Sequence, residues 1–223
     1  MVNLERTLKQ ERLKIVIEKF CLFLTKKIRE KVPDIDDERA EAINYGLQIM
    51  VGEIPKTFII FALSYLLGVF ELTLLAFVLL MPYRGFSGGF HLHTHIGCIL
   101  ASTAMYSGIA LLSKYVVFDE ITKYIAIAIV WIFGMIMIKL YAPADTADVP
   151  ILQKKVRRKK QILSYISFSI GLAVAIFIPS GIVSNTLIFG NLIQTLTITK
   201  FVYRLTNNKY GYEVYGNASE QIS

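Results

Sequence analysis

Charge is scarce in this chain. Of its 223 residues 18% are Asp, Glu, Lys or Arg against 54% hydrophobic, and the mean hydropathy is +0.52, which excludes a soluble domain with a fully solvated surface. Cysteine is rarer still: Cys21 and Cys98 stand alone, in unlike settings, and give no disulfide framework. No nucleotide-binding motif occurs. The N-terminal segment is studded with Lys, Arg and Glu and lacks the compact apolar run and small-residue cleavage site of a secretory signal peptide. Residues 161–199 hold no Asp, Glu, Lys, Arg or His at all.

What is present is a series of apolar runs with helical spacing. Leu13, Ile17, Phe20, Leu24 and Ile28 recur at steps of three and four among lysines, the pattern of an amphipathic helix lying in the membrane interface. Pro33 ends it, and Asp34, Asp36 and Asp37 are suited to cap the next helix. Spans are then expected over 41–70, 72–83, 96–113 and 124–138, the second of them short. Two more follow within 161–199, joined by a turn at Pro179-Ser180-Gly181. The expected fold is an all-α polytopic membrane protein with about six transmembrane helices behind an interfacial helix. One integral domain, 1–223, would comprise that helix (1–32), the bundle (41–199) and a cytoplasmic tail (200–223).

Basic residues set the orientation. The segment through Lys31 holds nine Lys and Arg, the stretch from Lys154 to Lys160 holds six, and the tail carries Lys200, Arg204 and Lys209. Six spans put all three segments on one side, as the positive-inside rule requires, so both termini and the segment 84–95 are expected to be cytoplasmic at the cell membrane. Membrane lipids rather than nucleic acid account for the net charge of +7.

The segment from Tyr83 to Cys98 gathers all three histidines, four glycines and one of the two cysteines. A thiol protease needs a thiolate beside an imidazole, and Cys98 and His91 can form that pair. On one continuous helix they would lie about 10 Å apart along the axis, so the chain must bend between them, with a helix beginning near Ile96. Cys98 would then sit in its first turn, where the positive end of the helix dipole suits an anionic sulfur. Gly88 and Gly89 could turn backbone N–H groups toward an oxyanion, and Arg84 could bind a carboxylate or stabilise charge.

The order Arg84, Gly88-Gly89, His91 and Cys98 resembles the signature of the AgrB family, the accessory gene regulator membrane proteases that process a quorum-sensing propeptide. The resemblance extends to the amphipathic N-terminus, the polar start of the first span and the stretch Tyr141-Ala142-Pro143-Ala144-Asp145-Thr146. It implies a cysteine endopeptidase with His91 and Cys98 catalytic, acting on the C-terminal part of an AgrD-like precursor. An acyl-enzyme on Cys98 would then be attacked by a precursor thiol or hydroxyl to give a thiolactone or lactone ring. No cofactor is implied, and a homodimer is.

Other readings of these residues compete. His91, His93 and His95 alternate and could share one face as zinc ligands of a membrane hydrolase, although no fourth ligand or Glu base accompanies them. A small transporter would line its path with Glu53, Asn185 and Asn191. Asp145, on the same side as His91, could orient the imidazole as a third catalytic member, or be a capping or turn aspartate. Glu53 and Lys56 at the start of the first span could shape a substrate passage or form a structural pair. Lys154 and Lys155 could meet anionic lipid or an acidic part of the precursor.

Overall fold

The computed structural model describes residues 2–32, 34–92, 94–147 and 150–215. Nine helices lie among them: α1 (Val2–Lys31), α2 (Asp37–Leu66), α3 (Phe70–Ser87), α4 (His95–Tyr115), α5 (Glu120–Tyr141), α6 (Lys154–Phe177), α7 (Gly181–Thr197), α8 (Lys200–Leu205) and α9 (Gly211–Tyr215). No strand occurs among the described residues, and a parallel bridge joins Gly88 to Ala144. Packing divides the chain into two compact units, residues 1–59 and 60–223, with the boundary inside α2.

In the first unit the acids do cap the second helix: the N–H of Arg39 donates to Asp36 Oδ1 at 2.8 Å. Arg29 pairs with Asp37 at 2.7 Å across the turn. Cys21 is buried and its carbonyl accepts from Thr25 Oγ1 at 2.9 Å, so it fills apolar space.

In the second unit α7 packs against α3, α4, α5 and α6. Its buried side chains include Ser184, Asn185, Thr186, Asn191, Gln194, Thr195 and Thr197, while α5 exposes Ile125, Ile129, Ile132, Ile136 and Leu140. A protein with its polar groups inside and an aliphatic stripe outside is built for lipid. Small residues bring the helices close: a Cβ added at Gly134 would lie 2.0 Å from Phe168 Cζ, and one at Gly190 would lie 2.9 Å from Leu80 Cδ1.

Five helical segments are long and apolar enough to cross a membrane: 39–66 of α2, 96–115 of α4, and the whole of α3, α5 and α6. The remaining expected span corresponds to α7, 17 residues and so about 25 Å long. The span expected over 72–83 is longer than its uncharged run, because α3 continues through Pro82 and Arg84 to Ser87. Arg84 therefore stands on the last helical turn and not in a loop. The tail is also more ordered than a solvated segment: Tyr203 and Tyr210 are buried and their rings stack 4.1 Å apart.

Candidate functional site

Five segments converge at one end of the second unit: the end of α3, the start of α4, the turn after α5, the start of α6 and the end of α7 with its tail. The Gly88 N–H closes α3 on the Arg84 carbonyl at 3.0 Å, and the chain then leaves through two glycines with φ of +73° and +145°. The turn after α5 pairs with them. The Ala144 N–H donates to the Ser87 carbonyl at 2.7 Å, and the Gly89 N–H donates to the Ala144 carbonyl at 3.1 Å. A Cβ at Gly88 would stand 2.3 Å from the Ala144 oxygen, so no other residue fits there without moving backbone. The Phe90 N–H donates to the Thr197 carbonyl at 3.3 Å.

Gln194 ties the same strip to α7. Its Nε2 donates to the Gly88 carbonyl at 2.8 Å and to Ser87 Oγ at 3.1 Å, while its Oε1 accepts from Arg84 Nη1 at 3.1 Å. A buried amide thus orients a guanidinium and a glycine turn at once. The N–H groups of Gly88 and Gly89 are both engaged in this structure, on the Arg84 and Ala144 carbonyls. What the pair supplies is a close crossing of two chains.

Cys98 lies in the first turn of α4. Thr94 caps that helix, its Oγ1 accepting from the Gly97 N–H at 3.1 Å, and the Cys98 N–H donates to the Thr94 carbonyl at 2.9 Å. Partly exposed, Cys98 lines a pocket of about 10 Å³ with Arg84, Phe90, Leu92, Ala101, Ser102 and Met105. That is room for about one water. His91 is exposed on the non-helical segment that leads from the glycine turn to α4. His93 lies outside the described residues, as does the side chain of His95, so the zinc reading falls there too.

Asp145 is buried, and its Oδ2 accepts from the Ile151 N–H at 2.9 Å and from Arg157 Nη1 at 3.0 Å. Arg157 also donates to the Pro143 carbonyl at 3.1 Å and lies over the Tyr212 ring, 4.8 Å from its centre. In this structure Asp145 orients the turn between α5 and α6 through these bonds. Glu53 forms an ion pair with Lys56 inside the first unit, so a charge costly in lipid is offset by its neighbour. Lys154 and Lys155 are exposed on the first turn of α6. Asn185 and Asn191 point their amides at the Val116 and Leu187 carbonyls, at 2.6 and 2.8 Å.

The sequence reading missed Gln194, Thr197 and the tail tyrosines. A glutamine deep within a run without charge was the available signal for the first. The Tyr203 hydroxyl donates to the Ala144 carbonyl at 2.8 Å, and the Tyr210 hydroxyl to the Ile198 carbonyl at 2.9 Å. Burial pushes both phenols well above their ordinary range, so they stay protonated donors.

Among known proteins, AgrB-like proteins of Listeria welshimeri and Listeria innocua are 28% and 26% identical to this chain over 182 residues, 81% of it and 87% of each relative. One from Clostridium acetobutylicum is 24% identical over 168 residues, 75% of this chain and 78% of the relative. No solved structure matches. The family model for accessory gene regulator B matches residues 21–198, which takes in the glycine turn, His91, Cys98 and the whole of α7. The chain therefore belongs to the accessory gene regulator B family, the AgrB proteins of a quorum-sensing system.

Proposed function

We propose that this protein is a membrane cysteine endopeptidase that cleaves an AgrD-like propeptide at the cytoplasmic face and carries the acyl fragment on Cys98. One observation supports this above the others: Cys98 opens from the first turn of a capped helix onto the pocket that Arg84 lines. His91 lies on the short segment that leads to that helix.

In this reading the His91 imidazole takes the Cys98 proton and the sulfur attacks the scissile carbonyl carbon. Arg84, held by Gln194, faces the oxyanion that forms. Collapse breaks the C–N bond, leaves a thioester on Cys98 and returns the proton from His91 to the departing amine. A precursor thiol or hydroxyl then attacks the thioester and gives up its proton as Cys98 regains one, closing a thiolactone or lactone. Because the acyl bond is exchanged rather than made anew, ring closure needs no nucleotide.

The same end of the unit carries Lys154, Lys155, Arg158 and Lys159 on α6 and Lys200, Arg204 and Lys209 in the tail. The positive-inside rule makes it the cytoplasmic end, with both termini on that side. Exposed Lys154 and Lys155 are suited to anionic lipid or an acidic part of the propeptide, and a homodimer is the assembly the family resemblance implies.

Purified protein in vesicles with a tagged propeptide tests the reading. Cleavage should stop with Cys98→Ser, with His91→Ala and on thiol alkylation, and a chelator should leave it unchanged. Cleavage that survives alkylation and stops with a chelator would overturn it in favour of metal-dependent hydrolysis.

A further inference from the structure

We infer that Tyr203 is a positioning residue for the catalytic segment, through the Ala144 carbonyl that its hydroxyl shares with Gly89; this rests on the endopeptidase reading above. The Ala144 oxygen accepts the Gly89 N–H at 3.1 Å and the Tyr203 hydroxyl at 2.8 Å, which fills both of its lone pairs. Gly89 is the second residue of the turn from which Phe90 and His91 leave, so whatever holds Ala144 holds the root of the segment that bears the histidine. The hydroxyl also lies 3.3 Å from the Asp145 carbonyl. It therefore reaches two successive carbonyls of the turn after α5.

The tail is built to keep that hydroxyl in place. Tyr203 is 1% exposed and its ring stacks on that of Tyr210, which in turn stacks on Tyr141 at 5.9 Å and on Tyr212 at 5.1 Å. Arg157 covers Tyr212 while bonding Asp145, and Lys200 pairs with Glu213 at 3.5 Å to tie α8 to α9. Gly211 passes so near Asp145 that an added Cβ would come within 2.5 Å of its Oδ2. A segment that sequence alone marks as a solvated tail thus reaches the buried crossing of Gly89 and Ala144. Tyr203 is not among the residues that line the Cys98 pocket, so its effect is on placement.

The test is Tyr203→Phe in vesicles with the tagged propeptide, beside Tyr210→Phe and Cys98→Ala. Tyr203→Phe keeps the ring stack and loses only the hydroxyl. The expected result is a fall in kcat of about tenfold to a hundredfold, with KM within about twofold and a melting temperature in detergent lowered no more than in Tyr210→Phe, which also loses one buried hydroxyl. Tyr210→Phe, whose hydroxyl serves Ile198, should keep kcat near that of the parent. An unchanged kcat for Tyr203→Phe overturns the inference while leaving the endopeptidase reading standing. So does an equal loss of kcat in both tyrosine variants accompanied by a lower melting temperature, which marks a general structural role. Cleavage by Cys98→Ala would instead sink the endopeptidase reading, whatever Tyr203→Phe does.

Discussion

The two ends of the second unit do different work. At one end the connections are short turns: Lys114 Nζ reaches the Gly68 carbonyl at 3.2 Å, Asn185 reaches Val116, and Ser184 Oγ reaches Ala175 at 2.8 Å. Each of those contacts closes a turn or a helix end and nothing else. At the other end the connections cross one another, bury Asp145 and Gln194, and place Arg84 and Cys98 on one pocket. Bonds that merely finish helices differ from bonds that fix the entrance and exit of the segment from Gly88 to Cys98. The first should matter for stability alone, the second for cleavage as well.

Substitutions at either end can break this division. The largest effect is expected for His91→Ala, a loss of cleavage of about 10²–10⁴-fold with the fold retained, read from the tagged propeptide and from circular dichroism. Arg157→Met leaves Asp145 as a buried unpaired carboxylate and should cost about 3–5 kcal/mol in detergent unfolding, with cleavage falling alongside. Gly88→Ala forces a Cβ against the Ala144 backbone at positive φ. A cost of about 1–3 kcal/mol is expected, with a cleavage rate that drops further than Asn185→Ala can make it.

Asn185→Ala, at the plain end, should lower stability by about 1–2 kcal/mol and leave the cleavage rate of folded protein unchanged. A reduced rate there would abolish the contrast between the ends. The smallest effect belongs to Asp119, which caps α5 and whose carboxyl is held below the usual carboxylate range by the Thr122 side chain and then its N–H. With its folded value depressed, its contribution is present above the ordinary carboxylate range and fades as pH falls through that lowered value. A melting series down to about pH 3 should therefore show a slightly shallower decline in Asp119→Ala than in the parent.

Much of this architecture was legible in the sequence because lipid imposes long apolar helices, and the span expected over 124–138 lies within α5. The end of α3 was not legible. Pro82 and Arg84 look like a break, yet Arg84 continues the helix because Gln194, far along the chain, gives its guanidinium a partner. The packing of the tail was not legible for a related reason. Tyr203 and Tyr210 sit among lysines and asparagines, and only tertiary stacking makes them core residues. At the site, Cys98 near a helix start followed from spacing, and so did the bend before it. That the glycine N–H groups were already engaged could not follow, since the acceptor for Gly89 belongs to the turn after α5, a connection no local pattern announces.

One property of α7 bears on how the molecule is made. Ser184, Asn185 and Gln194 find their acceptors on other elements of the bundle, and in bare lipid those donors would be stranded. Translation delivers this helix after α3, α4, α5 and α6, its four packing neighbours, are already in the bilayer. The order of synthesis therefore supplies a sheltered slot before the element that requires one arrives. A rearranged gene that began with α7 would ask the membrane to accept it unprotected.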